Sequence, residues 1–301
     1  MARDARGPPE DRPAAADLRR EEPAELRADR AALLSRALPI WLDGAILTGD
    51  AARVPADDSA IVSGLACYTT ARWDGERIRF AARHGARLAA DALRLGLGRL
   101  APERVASVLA LAARAAFGDR AGVVRLQASR DAEGALRLLG LPRELGPEPA
   151  EWSAHTAAIV HEGPGPFGGA KLAAHPRAEA ARGAARAAGC DEALLYDVAG
   201  RLVEGARTAL VVVRDDGAAV APPAERGGVA SLALALVRDA GCAIAPADLT
   251  RTEAARAREI VALNAVRGAV PIVRLDGAPV GTGGPGPVAA RLRAVLTAAA
   301  E

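Results

Sequence analysis

The chain has 301 residues, of which half are hydrophobic and a quarter are charged, a composition typical of a globular protein rather than a disordered one. Lys and Arg total 39 and Asp and Glu total 37, so the net charge is only +2. With aromatic residues at 3%, this balance disfavours nucleic-acid binding. No apolar run approaches the ~20 residues needed to span a bilayer, so we expect no membrane partner.

Cysteine and histidine usage points to an intracellular, metal-free protein. The three cysteines, Cys67, Cys190 and Cys242, are far apart and form no CxxC pair. Their odd number and spacing favour a reducing, cytoplasmic location. The four histidines lack metal-ligand spacing, so each is interpreted as structural or solvated and no metal site is predicted.

Residues 1–37 differ from the rest of the chain in combining prolines with many charges of both signs. They lack the apolar region of a signal peptide. We predict a flexible N-terminal extension, solvated to about residue 22, with a short helix over residues 23–37.

The next part of the chain, residues 38–149, is predicted to form a smaller α/β domain. Its alternating segments indicate strands and hairpins, and its longer periodic segments indicate helices. The predicted strands cover residues 40–44, 45–49, 61–73, 76–80, 122–130 and 134–140, and the predicted helices cover 81–95 and 102–117. The proline-studded stretch 141–149 is the predicted domain linker.

Residues 150–301 are predicted to form a larger C-terminal domain. The predicted strands cover 156–161, 191–197, 201–205, 208–215, 259–264 and 269–275, and the predicted helices cover 177–188, 228–240, 246–257 and 287–299. The order lacks regular βαβ alternation, so the predicted class is α+β in two domains.

Lys171 is the only lysine among the 39 cationic residues. Arginine replaces lysine as a solvated cation, but guanidinium stays protonated and cannot attack a carbonyl. Lys171 also follows a glycine-rich segment, residues 163–170, that would expose it at a cavity wall. It is therefore a candidate Schiff-base residue; the alternative is a surface cation.

Glu204 ends a short predicted strand between Val203 and Gly205, where a carboxylate is unusual. One interpretation is an edge carboxylate exposed to water. The other is a buried anion that pairs with a protonated pyridine nitrogen and strengthens that ring as an electron sink.

Lys171, the spacing from it to DEALLYDVAGRLVEG, and the segment NAVRGAVPIVRLDG together resemble the fold-type IV pyridoxal-phosphate enzymes. These include branched-chain and D-amino-acid aminotransferases and aminodeoxychorismate lyase. The resemblance runs from about Leu38 to Leu296. It implies the two-domain fold of the D-amino-acid aminotransferase-like enzymes, pyridoxal 5′-phosphate in the larger domain, a small-molecule amino substrate and a homodimer.

The resemblance also implies roles for individual residues. Lys171 would bind the cofactor covalently and move the proton, and Glu204 would face the pyridine nitrogen. The cofactor phosphate would be met by Arg87, by the helix start at Leu232 and Ala233, and by Asn264 and Ala265. The alternative interpretation of Arg87 is an exposed arginine on a helix. The alternative interpretation of Asn264, the only asparagine, is a residue that forms a turn.

Segment ACYTTARWDG resembles aminodeoxychorismate lyase, where Thr70 would assist proton transfer to the leaving group. The expected activity is then conversion of 4-amino-4-deoxychorismate to 4-aminobenzoate and pyruvate, for folate biosynthesis. The alternative is a class IV aminotransferase acting on branched-chain or D-amino acids, since transaminases also carry threonine there. The alternative interpretation of Thr70 is an ordinary β-branched strand residue without a catalytic role.

The chain departs from the family pattern at Ala209, Leu234 and His175. These departures weaken the assignment of substrate and motivate a third alternative, a non-catalytic relative. Arg125 and Arg130 are candidates for binding a substrate carboxylate, although strand alternation also places such residues in water.

Overall fold

The computed structural model describes residues 38–48 and 51–300, so everything predicted for residues 1–37 lies outside the described residues. The described part of segment 38–148 contains β1 (Ile40–Leu42), β2 (Ala45–Leu47), α1 (Ser59–Val62), β3 (Cys67–Trp73), α2 (Ala81–Arg94), α3 (Pro102–Phe117), β4 (Gly122–Arg130) and β5 (Leu136–Glu144). Its strands form an antiparallel sheet in the order β2-β1-β5-β4-β3.

One face of this sheet packs on α2 and α3, because successive side chains of a strand point to opposite faces. Cys67, Ala71 and Trp73 of β3 share a buried core with Leu88 of α2 and Leu109 of α3. The intervening side chains of β3 point away from these helices. They form one wall of the cavity that holds the candidate site.

The remaining described chain forms a second, mixed sheet. Its elements are β6 (Trp152–Thr156), α4 (Pro176–Ala187), β7 (Glu192–Tyr196), β8 (Leu202–Gly205), β9 (Ala209–Val213), β10 (Ala219–Ala221), α5 (Leu232–Asp239), β11 (Ala245–Pro246), α6 (Arg251–Ala255), β12 (Glu259–Asn264), β13 (Gly268–Leu275), β14 (Ala278–Pro279) and α7 (Pro287–Ala298). The strand order is β11-β10-β9-β12-β13-β6-β7-β8, with β14 paired to β13. Two sheets with helices packed on them confirm the predicted α+β class.

Several predicted elements are confirmed, including the first hairpin, α2, α3 and α7, each within about two residues of its predicted bounds. The strand predicted over 61–73 begins only at Cys67, because Ser59–Val62 forms a helical turn. Asp58 caps that turn by accepting a hydrogen bond from the Ala60 N–H at 2.9 Å, which is the usual role of an aspartate at the N-cap of a helix.

The strand predicted over 76–80 is wrong. Only one isolated bridge forms there, between Trp73 and Ile78. Phe80 then takes a left-handed conformation, with φ at 55°, and leads directly into α2. The strand predicted over 156–161 is also wrong, because β6 ends at Thr156.

Two predicted helices begin later than expected because their capping residues lie inside the predicted range. The helix predicted over 228–240 begins at Leu232, after its N-cap Ser231. The helix predicted over 246–257 begins at Arg251, where Thr250 forms a capping box. No helix within the described ranges is long and apolar enough to cross a membrane.

The predicted linker 141–149 is partly wrong, because β5 continues to Glu144. Pro142 is accommodated since it pairs with β4 on one side and, on the other, lies past the first residue of β1, where no strand faces it. The chain passes from one sheet to the other between Glu144 and Trp152. Both sheets belong to one compact unit, Leu38–Glu301, so the division into domains at residue 149 stays a prediction.

The close contact between α2 and α3 yields a stability prediction. A methyl group on Gly85 of α2 would overlap the carbonyl oxygen of Pro102, so Gly85→Ala should lower the free energy of unfolding by about 1–3 kcal/mol. The matched control is Gly183→Ala in α4, where a methyl group meets nothing; it should raise stability by about 0.4–1 kcal/mol. Denaturant unfolding measures both, and equal effects would contradict the packing described.

Candidate active site

A cavity of about 680 Å³ brings together most of the residues predicted to form the site. Seven of the eight line it: Thr70, Arg87, Lys171, Glu204, Leu232, Asn264 and Ala265. Ala233 does not, because its side chain is fully buried in the first turn of α5. Only a backbone role at the helix start remains open to Ala233.

The backbone of Lys171 is fixed on both sides. Its carbonyl accepts a hydrogen bond from the Tyr68 N–H of β3 at 2.9 Å, and its N–H donates to Asp91 Oδ2 of α2 at 3.0 Å. The side-chain nitrogen lies 4.8 Å from the centre of the Tyr68 ring. Burial, and then the nearby positive charge of Arg87, lower the pKa of Lys171 to about 8. The fraction of this amine that is neutral near physiological pH is therefore far larger than for a solvated lysine.

Glu204, at the end of β8, is largely shielded from solvent, with 15% of its side chain exposed. Its Oε2 accepts a hydrogen bond from the Val229 N–H at 2.8 Å. Its Oε1 lies 3.4 Å from Nε2 of His161. Nδ1 of His161 accepts a hydrogen bond from the Gly163 N–H at 2.9 Å, which leaves the ring proton of a neutral histidine on Nε2, facing Glu204.

His161 was interpreted from sequence as structural or solvated, so its contact with Glu204 was missed. It is buried, with 7% of its surface exposed. Neither spacing nor periodicity links the two residues, since they lie 43 positions apart. The contact depends on β8 and the loop after β6 meeting at the cavity.

Arg87 extends from α2 into the cavity and is incompletely paired. One terminal nitrogen donates to Thr69 Oγ1 at 2.6 Å, and the same hydroxyl lies 2.6 Å from Nδ1 of buried His84. The Nε of Arg87 is buried without a hydrogen-bond partner among the described residues. Burial lowers the pKa of this guanidinium to about 10. An unsatisfied buried cation of this kind fits an anionic ligand such as phosphate.

The start of α5 faces the same cavity, through Ser231 and Leu232. The first backbone N–H groups of a helix have no acceptor within it, and the helix dipole favours an anion there. Leu232 and Ala233 lie in this first turn. Arg87 and this turn therefore provide the charge and the donors that a phosphate group requires.

Thr70 and Arg125 face each other across β3 and β4 and both line the cavity. The Arg125 guanidinium carbon lies 3.7 Å from the Tyr68 ring centre, and one of its nitrogens donates to Gln127 at 3.0 Å. Arg130 instead donates to the Gly96 carbonyl and is absent from the cavity lining. Of the two predicted carboxylate binders, Arg125 alone lines the cavity.

Tyr68 is a cavity residue that sequence reasoning missed. Its ring stacks on His175 at 5.5 Å between centroids, and its hydroxyl lies 3.4 Å from His175 Nε2. His175 Nδ1 donates to the Leu172 carbonyl, which leaves Nε2 as an acceptor for the tyrosine hydroxyl. Tyr68 shares a strand face with Thr70, so the alternation of β3 contained the signal.

The side chain of Asn264, the only asparagine, stabilises a turn. A turn former was the alternative interpretation of this residue from sequence. Asn264 Oδ1 accepts hydrogen bonds from the N–H groups of Val266 and Arg267, at 3.0 and 2.8 Å. This side chain shapes the loop after β12. Ala265, the neighbouring residue, stays at the cavity wall.

Comparison with known proteins identifies the family. The family model described as amino-transferase class IV matches residues 66–275. No curated protein matches the sequence.

Similar solved structures share the fold. The branched-chain aminotransferase from Thermoproteus uzoniensis with norvaline is 22% identical, covers 87% of this chain and 94% of its own, and has a TM-score of 0.74. The T.th. branched-chain amino acid aminotransferase with pyridoxamine 5′-phosphate is 24% identical, with coverages of 88% and 94% and a TM-score of 0.75. The branched-chain enzyme of Escherichia coli is 20% identical, with coverages of 85% and 92% and a TM-score of 0.76.

The pKa of Lys171 yields a prediction for the cofactor-free protein. Only the neutral amine reacts with an aldehyde, so the rate of reductive methylation of Lys171 should be half-maximal near pH 8. Arg87→Gln removes a neighbouring positive charge and should move the midpoint to higher pH. Arg130→Gln, outside the cavity, is the control and should leave it unchanged.

Mass spectrometry of the peptide that contains Lys171 measures the rate. The measurement is simple because Lys171 is the only lysine. A wild-type midpoint near pH 10 would contradict the burial described.

Proposed function

Since the chain belongs to the amino-transferase class IV family, which depends on pyridoxal 5′-phosphate, we propose that it transfers an amino group from an amino acid to a 2-keto acid. The observation that carries the proposal is the buried amine of Lys171, with its lowered pKa, in one cavity with Glu204 and Arg87. The branched-chain aminotransferases of similar fold favour transamination.

The residues present fit the cofactor. Arg87 and the first turn of α5 would hold the phosphate, Glu204 would face the pyridine nitrogen, and Lys171 would form the covalent link. When bound, pyridoxal 5′-phosphate supplies an aldehyde for amines and a ring that accepts electrons from the carbon next to the amino group.

Each side chain then has a defined task. With the cofactor bound, Lys171 would act as the base that removes the proton from the amino-bearing carbon of the substrate, which its lowered pKa permits. In transamination the same amine would also return that proton. Glu204, which accepts a hydrogen bond from the Val229 N–H and faces His161, would pair with the ring nitrogen of the cofactor. Arg125 orients the substrate through its carboxylate.

A second candidate is the lyase reaction on 4-amino-4-deoxychorismate. It is favoured by Thr70, whose position on the cavity wall would let its hydroxyl serve proton transfer to the departing pyruvate. Both reactions begin with the same proton abstraction by Lys171. Lys171 and Glu204 therefore do not distinguish between them.

Substrate assays separate the two reactions. The protein is supplied with 4-amino-4-deoxychorismate and 4-aminobenzoate is measured, and then with glutamate, leucine or D-alanine and a keto acid. We expect amino transfer. Formation of 4-aminobenzoate without amino transfer would refute the aminotransferase proposal, and Thr70→Val, which keeps the side-chain shape, should then reduce that product.

A carboxylate substitution tests the role of Glu204. Glu204→Gln replaces a charged hydrogen-bonding group worth about 1.5–3 kcal/mol with a neutral one, so the rate of reaction with an amino acid should fall roughly 10–100-fold. Stopped-flow absorbance of the cofactor measures it. The control is Glu162→Gln, which changes a more exposed cavity carboxylate; an equal loss in both variants would contradict the assignment.

A further inference from the structure

His161 lies against Glu204 at the cavity wall, and none of the chemistry described above uses it. Its Nε2 lies 3.4 Å from Oε1 of Glu204, and only 7% of its surface is exposed. This distance is longer than that of most hydrogen bonds, but contacts within an active site often tighten only when the ligands bind. The imidazole is therefore within reach of the carboxylate that is proposed to meet the cofactor ring.

The hydrogen bond from the Gly163 N–H determines which nitrogen of His161 carries the proton. Nδ1 accepts this bond at 2.9 Å, so the proton of a neutral ring lies on Nε2, on the side of Glu204. A cationic ring would carry a second proton on Nδ1, where it would face the N–H donor of Gly163. The contact with Gly163 therefore favours a neutral ring whose N–H points to Glu204.

Backbone contacts fix the segment that carries His161. The His161 N–H donates to the Tyr196 carbonyl of β7 at 2.8 Å. Two residues later, the Gly163 carbonyl packs so closely against Gly227 that a methyl group on Gly227 would overlap its oxygen. Gly227 also has a left-handed φ of 89°, which glycine adopts without strain. The loop after β6 and the segment that leads to α5 therefore touch backbone to backbone.

This contact brings two donors to the two oxygens of Glu204. The segment after Gly227 supplies the Val229 N–H, which donates to Oε2 at 2.8 Å, and the loop after β6 supplies His161, which faces Oε1. A carboxylate has further lone pairs on both oxygens, so it can accept from a third donor in the cavity. Because both of these donors are neutral, they orient the carboxylate without compensating its charge, as a lysine or arginine would.

We propose that His161 is a positioning residue: it orients Glu204 toward the protonated ring nitrogen of the cofactor and, as a neutral donor, leaves the negative charge of Glu204 to that nitrogen. The inference rests on the function proposed above, since it concerns the cofactor of the same cavity. A glutamate side chain has several rotatable bonds, and Glu204 is 15% exposed, so it could otherwise turn to water. Without His161, only the Val229 N–H would hold its direction.

Equilibrium binding of two cofactor forms to the full-length protein, without substrate, tests this role. The probes are pyridoxal 5′-phosphate and 1-deazapyridoxal 5′-phosphate, in which a carbon replaces the ring nitrogen while the phosphate and the aldehyde are kept. The wild-type protein should bind the first roughly 10–100-fold more tightly, as expected for one hydrogen bond between charged groups. His161→Phe should lower the affinity for pyridoxal 5′-phosphate about fivefold and leave that for the deaza form nearly unchanged.

Two amide variants separate the donor from the bulk of the side chain, and they decide the question if His161→Phe does not fold. The amide of His161→Gln reaches the position of Nε2 and should keep the wild-type preference. The shorter His161→Asn places its amide near the position of Nδ1 and should lose the preference as His161→Phe does. The matched control is His155→Phe, which lies outside the cavity and should change neither affinity.

The outcomes are distinguishable from failure of the proposed function. Equal wild-type affinity for the two probes, an equal loss of both affinities in His161→Phe, or equal behaviour of His161→Gln and His161→Asn would overturn the positioning role, even in an active aminotransferase. A preference that depends on His161, in a protein that transfers no amino group, would support the role and refute the proposed function. Failure of the wild-type protein to bind either probe would refute both.

Discussion

The placement of one primary amine in a shielded cavity is the constraint on which the rest of the site depends. Lys171 cannot leave the cavity wall, because its carbonyl is paired to β3 and its N–H to Asp91 of α2. These two contacts join a loop of the second half of the chain to two elements of the first. The amine is consequently desolvated, and desolvation converts an ordinary cation into a base and nucleophile near neutral pH.

Charges of both signs lie around that amine, and we propose that they hold the cofactor. Arg87 repels the ammonium form of Lys171 and offers a buried, unsatisfied donor to an anion. Glu204 favours that ammonium form but is tied to the Val229 N–H and faces His161. A phosphate at Arg87 and a protonated ring nitrogen at Glu204 would satisfy both groups, which explains why two costly buried charges lie in one cavity.

Part of the fold and of the candidate site could be predicted from the sequence. The rest could not, for physical reasons. Lys171 stood out because arginine cannot replace a nucleophilic amine, and α2 and α3 followed from long periodic segments. Tyr68 and His161 were missed because their contacts join segments that are distant in the chain. The starts of α5 and α6 were misplaced because Ser231 and Thr250 cap them, and one capping side chain outweighs helix propensity over several preceding residues.

The central claim is that Lys171 is the amine that carries the cofactor. Borohydride reduction of the protein saturated with pyridoxal 5′-phosphate, followed by peptide mass spectrometry, tests it most directly. Lys171 is the only lysine, so the chain has one other primary amine, the N-terminus. The account predicts one pyridoxyl group per chain, on the peptide that contains Lys171. A label confined to the N-terminal peptide, or no label, would contradict it.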